Sequence, residues 1–275
     1  MAKTSTTGNR LLRRIDDYLD GVPRTASDPE PVGPFTLFVG REDGWQYYAR
    51  PTPGTSTVSA TDVAAVRERQ RELRMPESIE WIEELVPGLA GAAQDAGLSV
   101  RSHPLMHLAE RDFRPAPDVG GFELHLIAPD EDLASFQAVA TIGFGDPGTG
   151  TGSSGVEALA EVGRAVPPGM VAFVLDRLTR GLTVTAVAFR KGVPVAVGSH
   201  QPYDGAAEVV GVATLPAFRR RGLGSAVTSR LVEDALDSGV STIFLSAGDH
   251  SIAGVYRRLG FRHVGSAGGA EPARE

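Results

Sequence analysis

Three consecutive arginines and two glycines, Arg219-Arg220-Arg221-Gly222-Leu223-Gly224, stand where an apolar run gives way to a helical pattern. Upstream, Val209-Val210-Gly211-Val212-Ala213-Thr214 has the length and β-branching of a buried strand and stops before Pro216. Downstream, Leu223, Ala226, Val227, Leu231, Ala235 and Leu236 recur at helical spacing until Gly239. A strand, a basic glycine-bearing turn and a helix N-terminus make an anion site. The first helical amides lack internal partners, the dipole is positive there, and glycine lets a phosphate approach the backbone. No Walker lysine follows the turn, which argues against hydrolysis of a nucleoside triphosphate. Two other spacings carry less. Gly150-Thr151-Gly152-Ser153-Ser154-Gly155 reads formally as G-x-G-x-x-G, but a dinucleotide fold needs a strand just before it and residues 130–143 have a helical pattern. His103 and His107 are four apart, yet Pro104 and the extended pattern around it keep them off one helical face, so no metal site is expected.

These residues need a core to hold them. A chain of 275 residues suffices for one large or two ordinary domains, and 41% hydrophobic with 22% charged residues describes a soluble globular protein. The net charge of −7 argues against general affinity for nucleic acid or an anionic membrane. The absence of cysteine removes disulfides, thiolate metal sites and a cysteine acyl-enzyme, and fits a reducing compartment. The N-terminus lacks the apolar centre of a signal peptide, and the most apolar region, 182–197, is interrupted by Arg190, Lys191 and Pro194. The expectation is a cytoplasmic protein with no membrane partner.

In order along the chain, an apolar stripe predicts a helix over residues 10–20, and the proline-rich stretch 28–34 reads as a connector. Residues 35–40 and 45–50 predict two strands around the turn Glu42-Asp43-Gly44. Thr61 or Asp62 is placed to cap a helix through Leu73, and Pro76 to open a second helical stretch through Gln94. Residues 98–108 read as extended and 111–119 as a linker. The pattern restarts at Gly121 with a strand over 122–127, a helix capped by Asp130, a Gly/Thr/Ser loop over 145–155, and helices over 156–166 and 169–180. Strands over 183–190, 193–200 and 208–214 follow, then the long helix, a strand over 241–246, a helix over 250–259 and a last strand over 261–264. The end of the chain, small and polar from Ser266, reads as frayed. This succession is a mixed α/β domain with a central, mostly antiparallel sheet.

The order of elements and the turn Arg219–Gly224 resemble the GNAT superfamily of acyl-CoA-dependent N-acetyltransferases, whose pyrophosphate loop has the form Q/R-x-x-G-x-G/A. Thr214-Leu215-Pro216-Ala217-Phe218-Arg219 is similar to the family's V-x-P-x-x-R lead-in, with Thr for Val, and Val255-Tyr256-Arg257-Arg258-Leu259-Gly260-Phe261 to its closing Y-x-x-x-G-F signature. The likeness covers roughly residues 120–265. Residues 1–115 resemble, more loosely, the first half of two-lobed, actinobacterial-type members. The resemblance implies an α/β lobe at 1–118 (a degenerate GNAT-like half), an acetyltransferase domain at 119–267 with its mostly antiparallel sheet flanked by helices, and a flexible tail at 268–275.

It also implies roles. The backbone of Val212, Ala213 and Thr214 would pair with the pantetheine arm of acetyl-CoA. The amides of Arg219, Arg220, Arg221, Gly222, Leu223, Gly224 and Ser225 would cradle its pyrophosphate, with the arginine side chains adding charge-assisted contacts. Tyr256 matches the tyrosine that sits near the acetyl-CoA sulfur, where a phenol can donate to the departing thiolate. Asp249 falls where the family often has an asparagine on the cofactor, and offers acceptors only. Glu208 stands near the general base of some relatives, with His200, Asp204, His125 and Glu123 as lesser candidates. No metal is implied. The reaction implied is direct attack of a primary amine on acetyl-CoA in a ternary complex, and the alternative is a non-catalytic acyl-CoA-binding or regulatory module. The aromatic stretch Trp45–Tyr48 makes the first lobe a candidate interaction platform, for which a homodimer is the simplest partner.

Overall fold

The computed structural model describes residues 6–41 and 44–273, so Glu42 and Asp43 of the expected turn lie outside the described residues. The chain divides into two compact units. Unit 1 comprises residues 1–105, 246–248 and 263–275, and unit 2 comprises 106–245 and 249–262.

Unit 1 opens with α1 (Thr6–Gly21), which buries Leu12, Ile15 and Leu19 at helical spacing. β1 (Ser27–Val32) and β2 (Phe35–Gly40) form an antiparallel hairpin turned at Gly33, whose φ is +57°. The sequence reading makes a connector of β1 because of its prolines. The strand forms because β1 lies at the sheet edge, where Pro29 and Pro31, two residues apart, both turn their missing N–H toward the unpaired side. β3 (Ala49–Pro51) covers only the end of the strand expected over 45–50. Tyr47 is buried, and Tyr48 meets Phe38 edge-on at 6.4 Å, so these rings serve the unit's own interior.

α2 (Ala60–Glu72) is capped two positions before the first expected candidate, Thr61, by Ser59, with Asp62 closing a reciprocal capping box. The helix expected from Pro76 to Gln94 is instead β4 (Ile79–Ile82) followed, after Pro87-Gly88, by the short α3 (Leu89–Asp95). Ile79, Trp81 and Ile82 are all buried. β4 lies between β3, its parallel neighbour, and the antiparallel β11 (Arg262–Glu271), and this two-sided sheet environment overrides the helical-looking spacing. The last strand thus reaches Glu271, past Val264, where the sequence reading has a frayed end. Its glycines have a use: Gly268 faces Trp81 across the ladder, and a Cβ there would come within 2.4 Å of the indole ring. With β5 (Ser99–Leu108), the strand order of this unit is β1-β2-β3-β4-β11-β5.

Unit 2 runs through β6 (Glu123–Leu126), α4 (Leu133–Gly145), α5 (Leu159–Arg164), α6 (Pro168–Thr179), β7 (Val184–Arg190), β8 (Val193–Tyr203), β9 (Ala206–Thr214), α7 (Leu223–Asp237), β10 (Thr242–Ser246) and α8 (His250–Arg258). α4 is capped by Asp132, whose carboxylate accepts from the Ser135 amide, two residues beyond the expected Asp130. The strand order is β10-β9-β8-β7-β6, antiparallel except for β9 and β10, so the mixed and mostly antiparallel sheet flanked by helices is as the sequence predicts. Two glycines bring helices close to β8 and β9. A Cβ on Gly143 of α4 would lie 2.9 Å from that of Ala213, and one on Gly198 would lie 2.8 Å from Val227 Cγ1 of α7. α4 therefore covers one face of the sheet and α7 the other.

Candidate functional site

The site of unit 2 begins where its two parallel strands part. β10 pairs with β9 only from Thr242/Ala206 to Phe244/Glu208, although β9 continues to Thr214. From Val209 onward one edge of β9 faces away from β8 without a ladder on that side. β9 is also kinked here. Its register with β8 jumps from Ser199↔Val210 to Val197↔Ala213, so Gly211 and Val212 together oppose Gly198. Gly211 has φ +65°, the left-handed backbone of a glycine bulge, which bends the strand and adds twist. The strands splay, and the bulge aims residues 212–214 along the opening.

Both strands run into helices. β9 passes through a short turn, Pro216–Phe218, to α7; β10 leads to α8. The two helix N-termini are finished differently. At α8, Asp249 is the N-cap and its Oδ1 accepts the Ile252 amide at 2.7 Å, so this terminus carries its own anion. At α7 the N-cap is Gly222, with φ +87° and no side-chain cap. Ala226 is the first residue whose amide bonds back, to the Gly222 carbonyl at 3.0 Å. Among the described residues, the amides of Arg220, Arg221, Gly222, Leu223, Gly224 and Ser225 have no acceptor in the protein. Arg220 itself has φ +64°, which bends the chain so that these amides gather at one end of the helix.

The three arginines, alike in sequence, have different surroundings. Arg219 turns inward. Its guanidinium donates to the carbonyls of Gly143 (2.8 Å), Asp146, Gly150 (3.2 Å) and Thr214 (3.3 Å), and it pairs with the Asp146 carboxylate at 3.5 Å. Only 8% of the side chain is exposed, so charge-assisted contact with a ligand is not what this guanidinium does in the structure. Arg220 and Arg221 are exposed, and Arg221 lies over the Phe218 ring at 5.9 Å. The glycine-rich loop that Arg219 grips is stitched to the same turn by Gly152 N–H to Pro216 O (3.1 Å) and Ala217 N–H to Ser154 O (3.0 Å). A Cβ on Gly152 would meet Pro216 Cβ at 2.8 Å, which explains a glycine there without any dinucleotide.

Register places the remaining candidates. Glu208, Val210 and Ala213 pair with Gln201, Ser199 and Val197, and the Gly143–Ala213 contact shows that this is the face toward α4. Glu208 is half-buried at the last rung before the splay. His200 points the other way. It is fully buried, its Nε2 lies 2.8 Å from Asp234 of α7, and burial holds its pKa below the ordinary value. It cannot share a face with Glu208. Asp204 forms part of an exposed hairpin turn with Gly205, Glu123 is exposed on β6, and His125 is stacked on Phe189 at 4.8 Å with Glu131 beside it.

Tyr256 is buried on α8, edge-on to Phe261 at 6.0 Å, and its hydroxyl finds no acceptor among the described residues. Burial pushes its pKa up to about 12. The phenol stays neutral and keeps its proton. The glycine of the closing signature has a steric cause: Gly260 has φ +102°, and a Cβ there would sit 2.0 Å from the Asp112 carbonyl oxygen. Among the described residues no group of three or more acidic or histidine side chains is placed to hold a metal ion, and no single helix is long and apolar enough to cross a membrane.

The fold defined by these elements is the GNAT acetyltransferase fold. Residues 157–261 match the model of the acetyltransferase (GNAT) family. Among solved structures, the chain is similar to a GCN5-related N-acetyltransferase from Kribbella flavida, at 23% identity over 96% of both chains with a TM-score of 0.71. It is also similar to a putative GNAT-family acetyltransferase from Novosphingobium aromaticivorans DSM 12444, at 19% identity over 96% of this chain and 99% of that one, with a TM-score of 0.55. A tandem GNAT protein from the clavulanic acid biosynthesis pathway matches at 17% identity over 88% of this chain and 79% of that one, with a TM-score of 0.54. No curated protein matches.

Proposed function

We propose that unit 2 is an acetyl-CoA-dependent N-acetyltransferase that moves an acetyl group to a primary amine by direct attack. One observation carries this reading: six unpartnered amides at the uncapped start of α7 terminate the free edge of β9. A pyrophosphate satisfies the amides and the dipole together, and the open edge of 212–214 offers backbone groups to the amide-bearing arm that follows it. The arm leads its thioester toward the last rung, beside Glu208. There the amine nitrogen bonds to the acetyl carbon, the C–S bond breaks, and the thiolate leaves toward the Tyr256 hydroxyl. Glu208, on the α4 face, receives the amine proton directly or through water.

Unit 1 is read as a degenerate half of the same plan. It repeats the succession of meander, helix, parallel strand and helix. Its corresponding helix N-terminus is closed by the Ser59–Asp62 capping box, so the pyrophosphate is assigned to unit 2 alone.

A non-catalytic acyl-CoA-binding module is the second reading, favoured by the high pKa of Tyr256. Titration of acetyl-CoA into the wild-type protein and Gly222→Asp, followed by thiol release with a panel of primary amines, separates the two. Binding that weakens at least tenfold in the variant, with turnover on an amine, is expected. No binding, or binding equal in both proteins, overturns the donor assignment; binding without turnover on any amine selects the second reading.

A further inference from the structure

Unit 1 has a cavity of its own, about 320 Å³, walled by Arg13, Asp16 and Asp17 of α1, by residues 53–56 just after β3, and by Leu85 just after β4. β3 and β4 are the parallel pair of this unit, and both wall segments leave their carboxyl ends. Open α/β sheets bind ligands at that position, and small-molecule pockets begin at roughly 300 Å³. Asp16 is balanced from behind: its Oδ1 lies 3.2 Å from the buried guanidinium of Arg50, whose Nε has no partner. Burial pushes the Asp16 carboxyl up and Arg50 opposes the shift.

Arg13 and Asp17 are not balanced in this way. They stand four residues apart on α1, a spacing at which opposite charges ordinarily meet, yet neither makes an ion pair or hydrogen bond with any described residue. Both are exposed, and both line the cavity. A free cation and a free anion with Cβ atoms about 5–6 Å apart therefore share one opening with the Ser56 hydroxyl and the apolar Pro53 and Leu85.

We propose that unit 1 binds a small zwitterion of the apolar α-amino-acid class, its ammonium on Asp17, its carboxylate on Arg13 and its side chain against Pro53 and Leu85. A lone amine would leave Arg13 unsatisfied and a lone carboxylic acid would leave Asp17 so; a zwitterion laid antiparallel over the pair satisfies both. The site is separate from the acyl-donor turn and does not depend on the reading of unit 2.

The test is calorimetric titration of L-leucine and L-methionine into the full chain without acetyl-CoA, with 3-methylbutylamine and 4-methylpentanoate as the two half-ligands. At least one amino acid is expected to bind saturably, each half-ligand at least tenfold more weakly. Asp17→Asn and Arg13→Gln, both on the surface, are each expected to lose tenfold or more while keeping the wild-type unfolding midpoint. Gly222→Asp should bind the amino acid as wild type does, which keeps this result distinct from that at the donor turn. The proposal is overturned if neither amino acid binds saturably at millimolar concentration, if a half-ligand binds as tightly as the amino acid, or if both variants bind like the wild type.

Discussion

Replacing Tyr256 with phenylalanine removes one hydroxyl from a side chain that is otherwise packed against Phe261. Because the hydroxyl has no acceptor among the described residues, its loss leaves none of their groups unsatisfied, and stability at pH 7 should change by less than about 0.5 kcal/mol. The catalytic cost is larger. With the phenol at about 12 and a thiol at about 8.5, complete proton transfer to a thiolate is uphill by roughly 3.5 units, or about 4.8 kcal/mol. On the proposed mechanism, the role left to Tyr256 is that of a hydrogen-bond donor to the departing sulfur. A hydrogen bond to a charged group contributes about 1.5–3 kcal/mol, so kcat should fall by roughly 10- to 150-fold, with acetyl-CoA affinity changed less than about threefold. Thiol release gives the first number and titration calorimetry the second. The same pKa makes a stability prediction. A group raised in the folded state contributes fully below its unfolded value near 10 and loses that contribution as pH rises through about 12. Wild type should lose up to about 2.7 kcal/mol across that window that Tyr256→Phe does not lose. An unchanged kcat, or an affinity loss as large as the loss in kcat, would refute the assignment.

Arg219→Gln removes a guanidinium that bonds four backbone carbonyls, and should destabilise unit 2 by about 2–4 kcal/mol. Amide exchange should rise selectively over residues 143–155, and equal protection in both proteins would contradict the clamp. Asp249→Ala should cost about 1 kcal/mol through loss of the α8 cap, whereas Asp249→Asn should cost almost nothing, as read by denaturant midpoints. Gly260→Ala must relieve a 2.0 Å approach to the Asp112 carbonyl at φ +102°, and should destabilise by more than about 3 kcal/mol; a wild-type midpoint would show that the segment near Asp112 yields freely.

The uncapped basic turn of the candidate site was legible in the sequence because its determinants are local. An uncapped helix start needs a glycine, a basic turn and a preceding strand, and all three lie within sixteen residues of Val209. What sequence could not separate were like residues with unlike neighbours. Arg219 becomes a clamp only because Gly143 and Gly150, some seventy positions earlier, bring their carbonyls to it. Asp249 stands at a position the resemblance gives to the cofactor, and its carboxylate caps α8; the motif D-x-x-I carries a capping signal that a closer reading could have used. β4 was unreadable for a similar reason: its strand state depends on β11, about 180 residues later, and no window around Ile79 contains that partner. β1 was hidden by its prolines, which are harmless only at an edge.

The pairing of β4 with β11 bears on how the protein is made. Unit 1 begins with the first described helix, yet its sheet includes residues 267–270, which are synthesised after the whole of unit 2. Its order of completion is the reverse of its order in the gene. Until β11 has been made, β4 has no neighbour on that side, and the nascent first hundred residues expose an apolar strand edge containing Ile79 and Trp81. A fragment cut at residue 105 should inherit that exposed edge permanently, and a fusion placed directly after β11 should perturb unit 1 before it perturbs unit 2.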